Sequence, residues 1–389
     1  MDITIIPRKL NGSVTVIPSK SQAHRLLICA ALSDNETELL CPETNRDIEA
    51  TAECLNALGA VIVRTECGYH ITPIQTVPPR AVLNCCESGS TLRFLLPIAG
   101  ALGVDTVFRM EGRLPQRPLS PLREEMERMG CRLSRPTADT IRCEGKLRSG
   151  NYEISGNISS QFITGLLFAL SLIGGKSELF VSGKIESQPY ITMTEEALGL
   201  FGAPDYHSPG TITVEGDWSN GAFWVGAEIL GSNLSVQGLN AISLQGDRAV
   251  VDISHQLLAG CPTVSAADIP DLVPILSVIA AANNGAIFTD IQRLRIKESD
   301  RVATVIEMIN NLGGKAEATE DTLTVHGTGL RGGTVVSHND HRIAMAAAIA
   351  ATVCTAPVTI LGAEAVKKSY PSFWEEYKRI GGQYEQYLR

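Results

Sequence analysis

The sequence predicts an α/β protein built from recurring units and divided into two domains. Three observations carry that prediction. A polar patch running into a long apolar stretch occurs six times along the chain. An amphipathic helical pattern ending in glycine occurs five times, four of them ahead of a short strand pattern. The chain has 389 residues, more than one hydrophobic core usually serves, so two domains are expected.

Taken in order, residues 2–6 and 13–17 alternate apolar and polar positions around Asn11-Gly12, which predicts a β-hairpin. The first polar patch follows. Pro18 and Ser19 make a turn, Lys20, Ser21, His24 and Arg25 follow, and Leu26 to Leu32 is apolar. The first N–H groups of a helix have no internal partner, and the helix dipole is positive there. Two cations and a hydroxyl added to that end make an anion site. An N-capped core helix with two solvated charges explains the same residues. Repetition favours the anion site. The pattern recurs at 88–93 running into 94–102, 159–161 into 162–170, 217–221 into 222–227, 268–271 into 272–282 and 339–342 into 343–351. A spacing of roughly 50–70 residues is one supersecondary unit. Six buried helices with polar, often basic, N-termini are expected to converge on one place.

The amphipathic helices are expected at 45–59, 119–130, 191–202, 299–313 and 372–381, the last closing the chain. Neither G-x-G-x-x-G nor G-x-x-x-x-G-K-[ST] occurs, so this is not a Rossmann sheet or a P-loop. Asp217 to Gly221 reads as turn chemistry and marks a domain boundary near 216–221, with the first strand free to join either half.

Composition narrows the function classes. Hydrophobic content of 44% and charge content of 19% fit a soluble globular protein. No apolar run is long enough to span a bilayer, and the N-terminus lacks a basic, cleavable leader, so a cytoplasmic location is expected. A net charge of −9 argues against general nucleic-acid binding and makes any local cationic cluster more informative. The cysteines are scattered without a C-x-x-C pair, and Cys29, Cys54 and Cys354 sit in apolar helical patterns, as reduced core thiols do. The histidines lack an H-x-x-x-H pattern, so no metal site is expected.

The densest chemistry lies at 293–301, where Arg293, Arg295, Lys297 and Arg301 flank Glu298 and Asp300. A solvated helical face with i,i+4 ion pairs is the plain explanation. A carboxylate packed among cations is the other, and it makes Glu298 with Lys297 a candidate acid/base pair. Arg113 and Arg117 share a proline-stiffened loop, with Arg117 held extended by Pro118 for a bidentate grip on an anion. Asp271 reads as an N-cap, or as a general base if it faces a substrate. The 339–342 and 367–371 segments add cations near element ends.

These residues resemble the 5-enolpyruvylshikimate-3-phosphate synthase family of enolpyruvyl transferases. The matching motifs run in order over nearly the whole chain: Pro18-Ser-Lys-Ser with Arg25, Ser88-Gly-Ser-Thr-Leu-Arg93, Gln116-Arg-Pro118, Ser159-Ser-Gln161, Ser187-Gln-Pro-Tyr190, Asp268-Ile-Pro-Asp271, Lys297-Glu-Ser-Asp-Arg301, Asn339-Asp-His-Arg342 and Lys368-Ser-Tyr-Pro371.

The resemblance implies two similar domains, 19–218 and 1–18 plus 219–389. Each would be an inside-out α/β barrel of three βαβαββ repeats, with buried helices inside, sheets outside and helix N-termini pointing into a cleft. It implies that shikimate-3-phosphate and phosphoenolpyruvate react through a tetrahedral ketal to an enolpyruvyl ether and phosphate, in aromatic amino acid biosynthesis. No metal or organic cofactor, no nucleic acid and no membrane are implied, and a monomer is expected. Asp271 and Glu298 are implied as the proton-transfer residues, assisted by Lys20, with His341 a further candidate. Lys20, Ser21, Arg25, Ser159, Ser160, Gln161, Ser187, Asp271 and Lys297 are implied on the shikimate-3-phosphate side, with Ser159, Ser160 and Ser187 taking its phosphate. Lys20, Gly89, Arg117, Gln161, Arg301, Arg342 and Lys368 are implied on the phosphoenolpyruvate side.

Glu87 and Arg293 depart from family patterns that carry Asn. A sister transferase acting on UDP-N-acetylglucosamine shares the fold, but its reactive Cys has Gly112 in its place here. A non-catalytic anion-binding module explains the basic helix ends and leaves the carboxylates among the cations unexplained.

Overall fold

The computed structural model describes residues 1–387. The chain divides into a mid-chain unit, Pro18–Glu215, and a terminal unit made of Met1–Ile17 with the chain from Gly216 onward. Each has its own hydrophobic core.

The mid-chain unit holds α1 (Lys20–Ala31), α2 (Arg46–Ala57), α3 (Gly89–Leu102), α4 (Leu122–Arg128), α5 (Ser160–Leu172) and α6 (Gln188–Leu200). Ser19 caps α1, and every residue of it from Ala23 on is buried, as an apolar stretch without a polar face requires. Asn45 caps α2 by accepting from the N–H groups of Asp47 and Ile48, both at 3.1 Å, and Asp47 and Glu49 complement the helix dipole. Helices α3 and α5 pack closely because α5 carries Gly165 where they meet. A Cβ there would lie 2.1 Å from the Arg93 carbonyl oxygen.

The terminal unit holds α7 (Trp218–Ile229), α8 (Val250–Ala259), α9 (Val273–Ala282), α10 (Arg301–Asn311), α11 (His341–Ala350) and α12 (Phe373–Arg379). Trp224 of α7 is fully buried, stacks on Phe373 at 5.0 Å between centroids, and donates its indole N–H to the Tyr370 hydroxyl at 3.1 Å. That satisfies its one polar atom.

The sheets repeat. Each unit has two four-stranded sheets and one two-stranded parallel pair. In all four larger sheets the first two strands are parallel and the next two pairings antiparallel. One repeat shows why. Arg80–Asn84, α3, Asp105–Arg109, α4, Cys131–Ser134 and Thr140–Gly145 follow in sequence as βαβαββ. The helical crossover makes the first pair parallel, and the short last turn makes the final pair antiparallel. The Asn151–Ser155 and Asn11–Thr15 repeats lack the closing strand pair, which leaves their sheets two-stranded. The six apolar helices expected from sequence are all present, as α1, α3, α5, α7, α9 and α11.

Three local expectations are corrected. Asp2–Ile6 and Asn11–Thr15 are strands but form no hairpin: the first pairs with Val358–Leu361 and Gln383–Tyr387, the second in parallel with Asn233–Gln237. Leu10 is fully buried and its N–H donates to the Ser232 hydroxyl at 3.1 Å, so the connecting chain enters the core instead of turning back. Asp217 to Gly221 is the capped first turn of α7, not a loop. The last helix does not close the chain, since the strand Gln383–Tyr387 follows it.

Candidate active site

In the mid-chain unit the ends of several helices are tied together by buried polar side chains. Arg25, 2% exposed, donates to the Thr194 hydroxyl (2.9 Å), the carbonyls of Ser21 (2.6 Å) and Tyr190 (2.7 Å), and the Thr164 hydroxyl (3.4 Å). These partners come from α1, α5 and α6, and none is a carboxylate. Burial pulls the Arg25 pKa down to about 10, which still leaves it a full cation at neutral pH. Ser21, Ser160 and Ser187 lie three or four residues before Arg25, Thr164 and Tyr190, so each stands one helical turn from the arginine's anchor points. Ser187 has left-handed backbone (φ +59°), which costs a serine about 1–3 kcal/mol. Ser159 caps α5 by accepting from the Gln161 N–H at 3.3 Å.

The start of α3 adds two more guanidinium groups. A Cβ on Gly89 would lie 2.6 Å from Arg93 Nη1 and 2.8 Å from Arg117 Nη1, so a side chain there would push both guanidinium groups from their places. Arg117 is extended (φ −70°, ψ 141°), as its place before Pro118 predicts. Arg93 Nη1 donates to Gln161 Oε1 at 2.9 Å, and Gln161 Nε2 donates to the Ser90 hydroxyl at 3.0 Å. Lys20 pairs with Asp47 at 3.0 Å. His24 is buried against Phe94 and begins a relay through Thr51 and Thr91 to Ser88, each step 2.7 Å. Burial, Lys20 and Arg25 hold His24 well below its usual pKa, so it is neutral.

The terminal unit assembles a different cluster. Asp271 is not an N-cap. Helix α9 starts at Val273, and the Asp271 carboxylate instead accepts from Arg301 Nη1 and from Arg342 Nη2 at 3.4 Å, with Lys297 Nζ at 3.8 Å. Arg301, 1% exposed, also donates to Glu298 (2.7 Å) and to Asp340 (2.9 Å). Burial works to raise the Asp271 pKa, but Lys297, Arg301 and Arg342 hold it well below the usual carboxylate range. Burial lowers the Lys297 pKa to about 8, against the pull of Asp271 and with the repulsion of Arg293 and Arg301. Arg342 Nη1 donates to the Ser219 carbonyl at 2.6 Å, so the starts of α7, α9 and α11 meet. Lys368 donates to the Asn339 carbonyl at 2.8 Å.

The expected helical face at 293–301 is absent. Gln292–Ile296 is a 3-10 turn, Lys297 is extended, and α10 begins at Arg301. Three residues not singled out from sequence matter to the geometry: Arg93, which holds Gln161; Asp47, which holds Lys20; and Asp340, fully buried, which receives Arg301, the Ser299 hydroxyl and the Arg342 N–H, each at 2.9 Å. Arg93 and Asp340 stand in the quoted motifs; only the contacts they make were hidden. Among the described residues no group of His, Cys, Asp and Glu is placed to hold a metal ion, and no helix is long and apolar enough to cross a membrane. The ten cysteines are free thiols, eight of them buried.

Each unit thus gathers three apolar helix starts around cations of a phosphate- and carboxylate-binding kind. A model of the family described as EPSP synthase (3-phosphoshikimate 1-carboxyvinyltransferase) matches residues 5–262 and 259–377. The chain belongs to the EPSP synthase family. It is 37% identical to the 3-phosphoshikimate 1-carboxyvinyltransferase of Clostridium kluyveri, over 99% of this chain and 98% of that protein. It is 36% identical to the enzyme of the same name from Clostridium beijerinckii, over 99% of each. Among solved structures, EPSP synthase from Acinetobacter baumannii matches with a TM-score of 0.79 at 21% identity, covering all of both chains. That likeness establishes the shared fold.

Proposed function

We propose that the chain transfers the enolpyruvyl group of phosphoenolpyruvate to the 5-hydroxyl of shikimate-3-phosphate, releasing phosphate, in aromatic amino acid biosynthesis. The single observation that carries the site reading is Asp271, one carboxylate held by three cations from two separate segments, Lys297 with Arg301 and, farther along the chain, Arg342.

The reaction needs a proton delivered to C3 of the enol, a proton taken from the hydroxyl that adds to C2, and then loss of phosphate with a proton from C3. Two anionic substrates must be neutralised throughout. In our reading Lys20, Gly89, Arg117, Gln161, Arg301, Arg342 and Lys368 receive phosphoenolpyruvate. Lys20, Ser21, Arg25, Ser159, Ser160, Gln161, Ser187, Asp271 and Lys297 receive shikimate-3-phosphate, its phosphate falling to Ser159, Ser160 and Ser187. Asp271 and Glu298 move the protons, with Lys20 assisting and His341 a further candidate. The caged Asp271 carboxylate is a poor base while three cations hold it. Substrate anions that compete for Lys297, Arg301 and Arg342 loosen that hold and raise its proton affinity, so the base is switched on by binding. Among the described residues Arg25 hydrogen-bonds hydroxyls and backbone carbonyls and pairs with no carboxylate, which supports its reading as a fixed positive charge for a ligand.

We further propose that the enzyme acts as a cytoplasmic monomer, without nucleic acid or membrane. Its net charge of −9 supports the absence of nucleic acid, and its unbridged thiols support a reducing compartment.

Phosphate release with phosphoenolpyruvate and either shikimate-3-phosphate or UDP-N-acetylglucosamine tests the reading. Turnover is expected with the first acceptor alone. In Asp271→Asn, kcat falls by about 10²–10⁴-fold while shikimate-3-phosphate still binds. Wild-type turnover in that variant would sink the proton-transfer assignment.

A further inference from the structure

Asp247 has no role in the reading above. It stands in the 3-10 turn Gly246–Ala249 and is 1% exposed. That turn is fastened to the start of α7. Gln245 Oε1 accepts from the Trp218 N–H at 3.0 Å, and its Nε2 donates to the Gly216 carbonyl at 2.8 Å. Ser219 donates its hydroxyl to Asp247 Oδ2. The carbonyl of the same Ser219 accepts from Arg342 Nη1 at 2.6 Å, and Arg342 Nη2 reaches Asp271 at 3.4 Å. One residue therefore links the Asp247 carboxyl to the Arg342 guanidinium.

Resting on the reading of Arg342 as a phosphoenolpyruvate ligand, we propose that Asp247 is a positioning residue that keeps Arg342 available to that anion only while it is a neutral acid. Among the described residues, the charged and titratable groups acting on Asp247 include Asp271, Arg342 and Asp217, together with the Ser219 hydroxyl. Burial and the Asp271 charge favour the neutral form, Arg342 and Ser219 favour the ionised form, and the balance brings the pKa to about 7. As a neutral acid, Asp247 sets no charge of its own against Arg342, which pairs with Asp271. Ionised, it adds a second buried negative charge close to the same guanidinium and opposes an arriving phosphate or carboxylate. Affinity for phosphoenolpyruvate therefore falls as pH rises through about 7, and affinity for shikimate-3-phosphate does not follow the same curve.

The test is initial rates with phosphoenolpyruvate and shikimate-3-phosphate each varied in turn against a saturating concentration of the other, between pH 6 and pH 9, for the wild type, Asp247→Asn and Ser219→Ala. The neutral fraction falls from about a half at pH 7 to about a tenth at pH 8, so the wild-type KM for phosphoenolpyruvate rises about fivefold over that unit. In Asp247→Asn, which is neutral at every pH, the rise is absent and KM for shikimate-3-phosphate stays within about twofold of wild type at each pH. Ser219→Ala keeps the carbonyl that holds Arg342 but removes the hydroxyl that favours the ionised form, so the rise moves to higher pH. An unchanged rise in Asp247→Asn overturns the proposal, and so does an equal change in both KM values at every pH, which a merely structural role would produce. If Asp247→Asn does not fold, Ser219→Ala decides, and a rise at the wild-type pH overturns the proposal. Absence of any phosphate release from phosphoenolpyruvate in the wild type would instead sink the reading of the site beneath it.

Discussion

Arg25 and Arg301 are both almost wholly buried guanidinium groups at the start of helical segments, and their surroundings are opposite. Arg25, in the mid-chain unit, is held by two hydroxyls and two backbone carbonyls. Arg301, in the terminal unit, is held by three carboxylates, Asp271, Glu298 and Asp340. Burial lowers the pKa of the first, while its carboxylate partners raise that of the second. Burying a cation among neutral dipoles leaves a positive potential that a ligand's anion can satisfy. Burying it among carboxylates makes a network near neutrality, whose members change protonation when an anion competes for the cation. In our reading both clusters receive substrate anions, and the terminal cluster also carries the proposed proton-transfer carboxylates, Asp271 and Glu298.

The largest effect is expected from breaking the network. Arg301→Gln removes the guanidinium shared by Asp271, Glu298 and the fully buried Asp340, and removing one partner of a buried ion pair costs about 3–5 kcal/mol. The pH dependence follows from Asp340, whose pKa Arg301 and His341 hold below the ordinary value against burial. A carboxyl with a lowered folded pKa contributes stability above its unfolded pKa, and that contribution is lost as pH falls through the folded value. In the variant the Arg301 contribution is gone, so the deficit measured by urea unfolding at pH 7 narrows as pH falls through about 4 toward the lowered wild-type value. A deficit independent of pH would mean that the carboxylates are not what Arg301 compensates.

Arg25→Gln tests the other side. Its partners are neutral, so the loss is that of buried hydrogen bonds, about 1–3 kcal/mol. No partner titrates between pH 5 and pH 9, so the deficit is flat over that range, while shikimate-3-phosphate affinity drops at least tenfold, about 1.4 kcal/mol. Equal deficits with equal pH profiles in Arg25→Gln and Arg301→Gln would erase the distinction between the clusters.

How much of this was legible depends on how local the cause is. The six apolar helices and their polar starts follow from patterning within about a dozen residues, and α1, α3 and α5 begin where the polar patches predict. The Asn11-Gly12 hairpin was misread because the turn signal is local, while the burial of Leu10 against the Ser232 region comes from more than two hundred residues away. Asp271 read as a cap for the same reason. Its partners Arg301 and Arg342 lie 30 and 71 residues on, and no spacing rule within one helix points to them. Asp247 could not be found at all from sequence, because an aspartate in a Gln-Gly-Asp turn is ordinary until its burial is known.

The smallest effect concerns Lys297, a titrating cation subject to both principles. Lys297 lies beside Asp271, yet burial, with Arg293 and Arg301, brings its pKa to about 8. A lysine with a lowered folded pKa is charged below that value and neutral above it. In its proposed role, its charge serves shikimate-3-phosphate at pH 7 and is lost through about pH 8. Calorimetric affinity for shikimate-3-phosphate should fall a few-fold, up to about tenfold, between pH 7 and pH 9. Lys297→Arg, whose guanidinium keeps its proton over this range, should flatten the curve even if its absolute affinity is lower. The bound anion favours the charged ammonium, so binding at pH 8 should also take up a fraction of a proton, read as a dependence of the observed heat on buffer ionisation. Proton uptake in the wild type that persists unchanged in Lys297→Arg would assign the titration to another group and return Lys297 to the role of a plain ion-pair partner of Asp271.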